Sequence, residues 1–211
     1  MYIITDKFRN LEKEKQVKIL NAAFREFAVH GYKKASTNRI VKEAGIGKGM
    51  LFYYFENKRG LYDDLIDYGT KFIKDNYLCQ MDGEETDFIK KYRNACVIKM
   101  KAYAQCPDIF HFFSTQYLTL EQNDFTKEQL DMMMEVRDVG HAKLYENIDT
   151  SLFRKDIEPD KIIEMIKWTF DGYEKQLIVD LRVEDMMEIK MEDYVRPFYK
   201  FLDRLRLVYY E

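Results

Sequence analysis

The chain has 211 residues, 46% of them hydrophobic, and a formal charge of −3, enough for one large domain or two smaller ones around a buried core. No apolar run is long enough to span a bilayer and MYIITDKFRNLEKEK is too polar for a signal peptide, so a cytoplasmic, membrane-free protein is expected. Nine glycines and three prolines argue against a turn-rich all-β fold, and three widely spaced cysteines (Cys79, Cys96, Cys106) offer neither a disulfide framework nor a metal-type pair.

The charge is unevenly spread. Residues 1–60 hold 13 basic and 6 acidic residues, a surplus of seven, while the remainder is net acidic. A basic head on an acidic body suggests that the head alone faces a polyanion.

In chain order, the first ten residues read as a loose arm. A helix is expected from about Leu11 to His30, with Leu20, Ala23, Phe24, Phe27 and Ala28 on one apolar face and Gly31 as its stop. Ser36 is placed to cap a second helix ending at Ala44, with Ile40, Val41 and Ala44 inward. Gly45-Ile46-Gly47 makes a tight turn, in which Gly45 takes positive φ cheaply and Ile46 plugs the core. A short third helix runs from Lys48 to about Tyr54. Asn57 caps a fourth, reaching about Cys79. MDGEET, from Met81, reads as a loop and linker. Beyond it the pattern stays helical: Thr86 to Gln105, Asp108 to about Leu120, a helix to about Leu152 opened by the capping box Thr126-x-x-Gln129, one from Pro159 to about Leu181, and a last one from Met191 to Tyr209 that Pro197 kinks or delays.

The second and third helices have the layout of a helix-turn-helix DNA reader. A helix in the major groove needs side chains that approach base edges and others that hold phosphates. Lys48 stands in the first turn of the third helix. Gly49 lets the backbone come close, and Met50 and Phe52 offer apolar contact to thymine methyls. The hydroxyls of Tyr53 and Tyr54 can bond phosphates. Lys58, opening the fourth helix, pairs with a phosphate aided by the helix dipole, and Thr37, Asn38 and Arg39 do so from the second helix. Leu51 and Phe55 read as core.

The run Ala44-Gly45-Ile46-Gly47-Lys48-Gly49-Met50-Leu51-Phe52-Tyr53-Tyr54-Phe55, followed by Asn57-Lys58, resembles the signature of the TetR family of transcriptional regulators, roughly Ala-Gly-Val-Ser-Lys-Gly-x-Leu-Tyr-x-Tyr-Phe. The resemblance covers residues 10–65. Two positions depart from it: Gly47 stands where Ser is common, which removes a hydroxyl that caps or holds phosphate, and Gly60 where Glu is frequent.

The resemblance implies an all-α protein of about nine helices: a helix-turn-helix head over residues 1–57 and an effector-binding and dimerisation domain over 58–211. It implies a homodimer joined by its last two helices, a near-palindromic operator in double-stranded DNA, and a small-molecule effector that respaces the two heads and releases the DNA. Long apolar stripes are compatible with this. From them Ile166, Phe170, Leu177, Phe198, Leu202 and Leu205 are expected at the dimer interface. Phe110, Phe113, Tyr117, Met133, Arg137, His141, Trp168 and Tyr173 are expected to line a pocket for an apolar or amphipathic ligand. Plain core packing competes for each of these residues. No cofactor or metal is implied. An enzyme is not expected: there is no Gly-rich phosphate loop, nucleophile elbow or HExxH pair. The competing readings are a non-specific architectural DNA-binding protein and, behind it, an enzyme with a carboxylate-based site.

Overall fold

The computed structural model describes residues 6–81, 83–119, 125–181 and 190–211. Among them are ten α-helices: α1 (Asp6–Arg9), α2 (Lys13–Lys34), α3 (Thr37–Ala44), α4 (Lys48–Phe55), α5 (Lys58–Asn76), α6 (Phe88–Gln105), α7 (Pro107–Thr119), α8 (Lys127–Tyr145), α9 (Pro159–Leu181) and α10 (Met191–Tyr209). The described residues form no strand, only an isolated antiparallel bridge between Phe153 and Tyr210.

The expected start and stop signals act where the chemistry puts them. The helical path of α2 breaks at Gly31 (φ 64°, ψ 170°). Gly45 closes α3 in the left-handed region (φ 67°), its N–H turned back to the Val41 and Lys42 carbonyls. Half-buried Ile46 packs against the core beneath that turn. The Thr126 N–H donates to Gln129 Oε1 at 2.9 Å and the Gln129 N–H to Thr126 Oγ1 at 3.2 Å, so the capping box opens α8. That helix ends at Tyr145 rather than near Leu152, and Asn147 follows at positive φ (51°). α10 runs through Pro197 instead of starting there.

The chain forms two compact units. The first comprises Met1–Asp75 and Tyr103–Glu135. Its core joins Phe24 and Phe27 of α2, Ile40 of α3, Leu51 and Phe55 of α4 and Tyr62 and Leu65 of α5 to Ile109 and Phe112 of α7. The Phe112 ring lies edge-on to Phe24 (5.4 Å) and Tyr62 (5.7 Å). The Arg25 guanidinium forks onto buried Asp108 at 3.0 and 2.9 Å. This unit runs past the expected boundary at residue 57, with α5 and α7 completing the core that α2, α3 and α4 begin. The first ten residues are not simply a loose arm either: Asp6–Arg9 is a helical turn, and Phe8 is 1% exposed.

The second unit comprises Asn76–Ala102 and Val136–Glu211. Phe88, Ile89, Phe153, Ile162, Ile166, Phe170, Leu202 and Leu205 form its core, where Tyr92 stacks on Phe170 at 3.8 Å. Asp87 caps α6 by accepting from the N–H groups of Ile89 and Lys90, and is bonded in turn by Arg206 (2.8 Å) and the Tyr210 hydroxyl (3.1 Å). Burial alone would raise its carboxyl. The Arg206, Lys90 and Tyr210 hydrogen bonds outweigh that and hold it below the usual range.

Candidate nucleic-acid interface

The short helix α4 divides its residues cleanly. Leu51 (1% exposed), Tyr54 (7%) and Phe55 (2%) face the core, while Lys48, Gly49, Met50 and Tyr53 (57%) face solvent, with Phe52 half-buried between them. Spacings of three and four residues put 51, 54 and 55 on one side of a helix of 3.6 residues per turn. Tyr54, expected to reach phosphate, is thereby corrected: its ring packs edge-on against Phe8 (5.7 Å) and beside Phe55. On the outer side the Lys48 ammonium lies 6.0 Å from the Phe52 ring centroid, so a long cation stands at the exposed start of the helix beside an aromatic face.

The three polar positions expected on α3 lie together in its first turn: Thr37 half-buried, Asn38 and Arg39 exposed. Arg39 is already engaged. Its guanidinium donates to both oxygens of Glu26 (3.0, 2.9 and 2.5 Å) and to the Lys34 carbonyl (3.1 Å). Glu26 also accepts the Ser36 N–H at 2.6 Å, with the His30 imidazole 3.8 Å away. Burial works to raise the Glu26 carboxyl, but hydrogen bonds from Arg39 and Ser36 and the nearby His30 hold it below its usual value. The Ser36 side chain makes no capping bond; its backbone supplies the contact that fixes the start of α3. Arg39 is thus a brace between α2 and α3 before it is a phosphate contact. Sequence reasoning missed Glu26, although an acid flanked by Ala23 and Phe27 on a buried helix face is a legible signal of a paired charge.

Lys58 begins α5, donates to the Lys33 carbonyl at 3.2 Å and lies 5.0 Å from the Tyr32 ring centroid. The joint before it is tight. Glu56 has φ 59°, the Asn57 N–H reaches back to the Phe55 carbonyl at 2.6 Å, and the Asn57 side chain accepts the Gly60 N–H at 2.9 Å. A Cβ at Gly60 would stand 2.5 Å from the Phe55 carbonyl oxygen. The departure from Glu at this position therefore has a steric cause. Gly47 is the residue before α4 and supplies no side chain to its first-turn N–H groups.

Comparison with known proteins agrees with this geometry. Residues 19–65, which run from within α2 through the first two turns of α5, match the family described as bacterial regulatory proteins, tetR family. The chain is 22% identical over 188 residues to the HTH-type transcriptional repressor AcnR of Corynebacterium glutamicum, covering 87% of this chain and 90% of that protein. It is 36% identical over 83 residues to the HTH-type transcriptional regulator YxaF of Bacillus subtilis, covering 35% of this chain and 42% of that one. Over residues 19–65 the chain carries the DNA-binding segment of that family. Among solved structures, a TetR family transcriptional regulator from Chloroflexus aurantiacus superposes with a TM-score of 0.60 at 21% identity, covering 98% of each chain. The ketosteroid transcriptional regulator KstR2 of Mycobacterium tuberculosis superposes at 0.61 and 16%, covering 96% of this chain and 97% of that one. These two likenesses concern the fold.

The candidate pocket residues divide between the two units. Phe110, Phe113 and Met133 belong to the first unit, as does Tyr117, whose side chain lies outside the described residues; Arg137, His141, Trp168 and Tyr173 belong to the second. Phe110 is core, its ring set against Phe72 and Tyr103. Phe113 fills the space over Gly69, and Met133 packs at the edge of the first core. Arg137 and His141 are exposed, Arg137 bonding Asp138 beside it. Tyr173 stacks on Phe201 at 4.4 Å. Trp168 is 62% exposed. Of the residues expected between subunits, Ile166, Phe170, Leu202 and Leu205 are buried within their own unit, Phe198 packs against the same core, and Leu177 is half-buried. A side chain sealed inside its own unit has no surface left for a second copy.

Proposed function

We propose that this transcriptional regulator is a ligand-responsive repressor that binds a near-palindromic operator as a homodimer. The observation that carries the reading is the outer face of α4, where Lys48, Gly49, Met50 and Tyr53 stand free of the core that Leu51, Tyr54 and Phe55 build. Such a face fits the major groove, with Lys48 in the leading turn and Tyr53 toward the backbone. The sense of regulation follows the AcnR likeness, which spans nearly the whole of both chains.

A second copy fits the outward stripe of α9. Trp168, Gly172 and Val179 recur at helical spacing, Trp168 and Val179 being 62% and 56% exposed. Val208 on α10 is also half exposed. A large aromatic beside a glycine lets two copies of one helix approach about a two-fold axis, with each Trp168 set over the other copy's Gly172. Two heads related by that axis read half-sites about one helical turn (~34–36 Å) or a multiple apart. For the effector, the second unit offers a groove of about 590 Å³ between α6 and α10, within the size range of small-molecule sites. Met100, Val195 and Tyr199 give it an apolar floor, and Arg93, Arg196 and Lys200 alternate around it with Glu192 and Asp203, Arg93 being paired with Asp203, so the mixed lining suits an amphipathic ligand.

The test is selection of duplexes from a random-sequence pool by the full chain. Lys48→Ala is expected to lower affinity for the selected duplex at least tenfold more than for a scrambled one. An unchanged ratio of the two affinities overturns the sequence-reading role of α4. Sedimentation of Trp168→Glu, expected to shift toward monomer, checks the dimer surface independently.

A further inference from the structure

The turn α1 is a four-residue helix, far too short to persist alone, yet it is fastened at several points. Phe8 is 1% exposed, its ring 4.9 Å from Phe55 and 5.7 Å from Tyr54, both on the inner side of α4. The Gln16 side-chain amide, from α2, donates to the Arg9 carbonyl that ends α1 at 2.9 Å and to the Leu11 carbonyl just beyond it at 2.7 Å. Gln16 is itself 9% exposed. A polar side chain drawn into a protein to hold the last carbonyl of a turn and the link that follows marks that turn as a built part of the head.

With Phe8 held inside, its neighbour Lys7 stands outside. The Lys7 ammonium lies 4.2 Å from the ring centroid of Tyr53, the most exposed aromatic of α4. Lys7 forms no ion pair among the described residues. A lysine that meets an aromatic face rather than a carboxylate keeps its charge uncancelled while the ring limits where it points. Tyr53 belongs to the face assigned to DNA, so the cation is delivered to the margin of that face.

We propose that α1 extends the DNA interface and that Lys7 binds a backbone phosphate flanking the base pairs read by α4, while positioning Tyr53. The proposal rests on the DNA-reading role of α4 and names a contact outside the helix-turn-helix. Lys7 contributes affinity without sequence preference, because a phosphate carries no base identity.

The test measures affinity for the duplex selected by the wild-type chain and for a scrambled duplex, as a function of salt, in full-length variants. Lys7→Met keeps an apolar stem over Tyr53 and removes the charge. It is expected to reduce the slope of log affinity against log salt by about one and to weaken both duplexes alike by roughly fivefold at 0.15 M salt, the effect of one lost phosphate contact. Lys7→Arg is expected to keep the wild-type slope. Phe8→Ala, which unfastens α1, is expected to lose the same slope unit, with a melting curve to confirm that the head stays folded. If Lys7→Met keeps the wild-type slope on a duplex that the wild type binds, the inference is overturned while the DNA-reading role stands. If the wild type selects no duplex, both fall.

Discussion

Asp64 lies on α5, 4% exposed, two turns after the joint that carries α4. Burial first, and then the negative charges of Asp67 and Asp63 on the same helix and Glu56 at the joint, push its carboxyl up to about 7, against a weaker pull from Arg9 on the α1 side. In the unfolded chain an aspartate titrates near 3.9. The folded state therefore binds the extra proton between about pH 4 and 7, and linkage makes stability fall as pH rises through that window. Above pH 7 the folded protein carries the full cost of a buried carboxylate. A gap of about three units at about 1.4 kcal/mol each sets an upper bound of about 4 kcal/mol. Asp64→Asn keeps the shape and cannot ionise. It is expected to match the wild type near pH 3 and to gain stability over it progressively up to pH 8, toward that bound. Urea unfolding at one protein concentration, in half-unit pH steps, reads the difference. A difference that stays flat from pH 5 to 8 refutes the reasoning, because it means that Asp64 ionises as easily folded as unfolded.

Two further substitutions probe the head. Gly60→Ala puts a methyl group 2.5 Å from the Phe55 carbonyl oxygen; it is expected to cost about 1–3 kcal/mol, measured as a lowered melting temperature, and an unchanged one shows that the α4–α5 joint relaxes freely. Arg25→Met leaves the Asp108 carboxylate, side chain 5% exposed, without its guanidinium and is expected to cost about 1–3 kcal/mol. Arg25→Met combined with Asp108→Leu is expected to recover most of that loss, since removing both charges ends the desolvation penalty; unfolding curves in which the two single losses simply add contradict this account of the pair.

The parts of this structure legible in the sequence are those fixed by neighbours a few residues apart. Gly45 had to take positive φ for two helices to meet so closely, and it does. Thr126 and Gln129 satisfy one another across one turn, so the start of α8 was readable from two side chains. The solvent-facing character of Lys48, Gly49, Met50 and Tyr53 follows from placing Leu51 and Phe55 inward on a helix of known pitch. Tyr54 is the instructive exception. Its place beside Phe55 puts it on the same inner side, but its hydroxyl had marked it as a phosphate ligand; the ring, sheltered by Phe8, follows the pitch instead.

What stayed hidden was decided by partners distant in sequence. No period announces Phe8, because one apolar residue in a polar run has nothing to repeat with; its burial depends on Tyr54 and Phe55, more than forty positions on. Glu26 sits visibly on a buried face, but that its partner is Arg39, which reads as a phosphate contact, appears only when the fold brings the two together. The stripes of α9 and α10 show the same limit in another form. A helix with apolar residues on two sides has one face for its own core and one for something else, and spacing cannot say which is which. Ile166, Phe170, Leu202 and Leu205 close together into the unit's core, so the face left over belongs to Trp168, Gly172 and Val179. Trp168, one of the residues expected to line a pocket, is therefore the large apolar side chain left most exposed on α9. It became recognisable only once its neighbours' burial had been settled by contacts that the sequence does not encode locally.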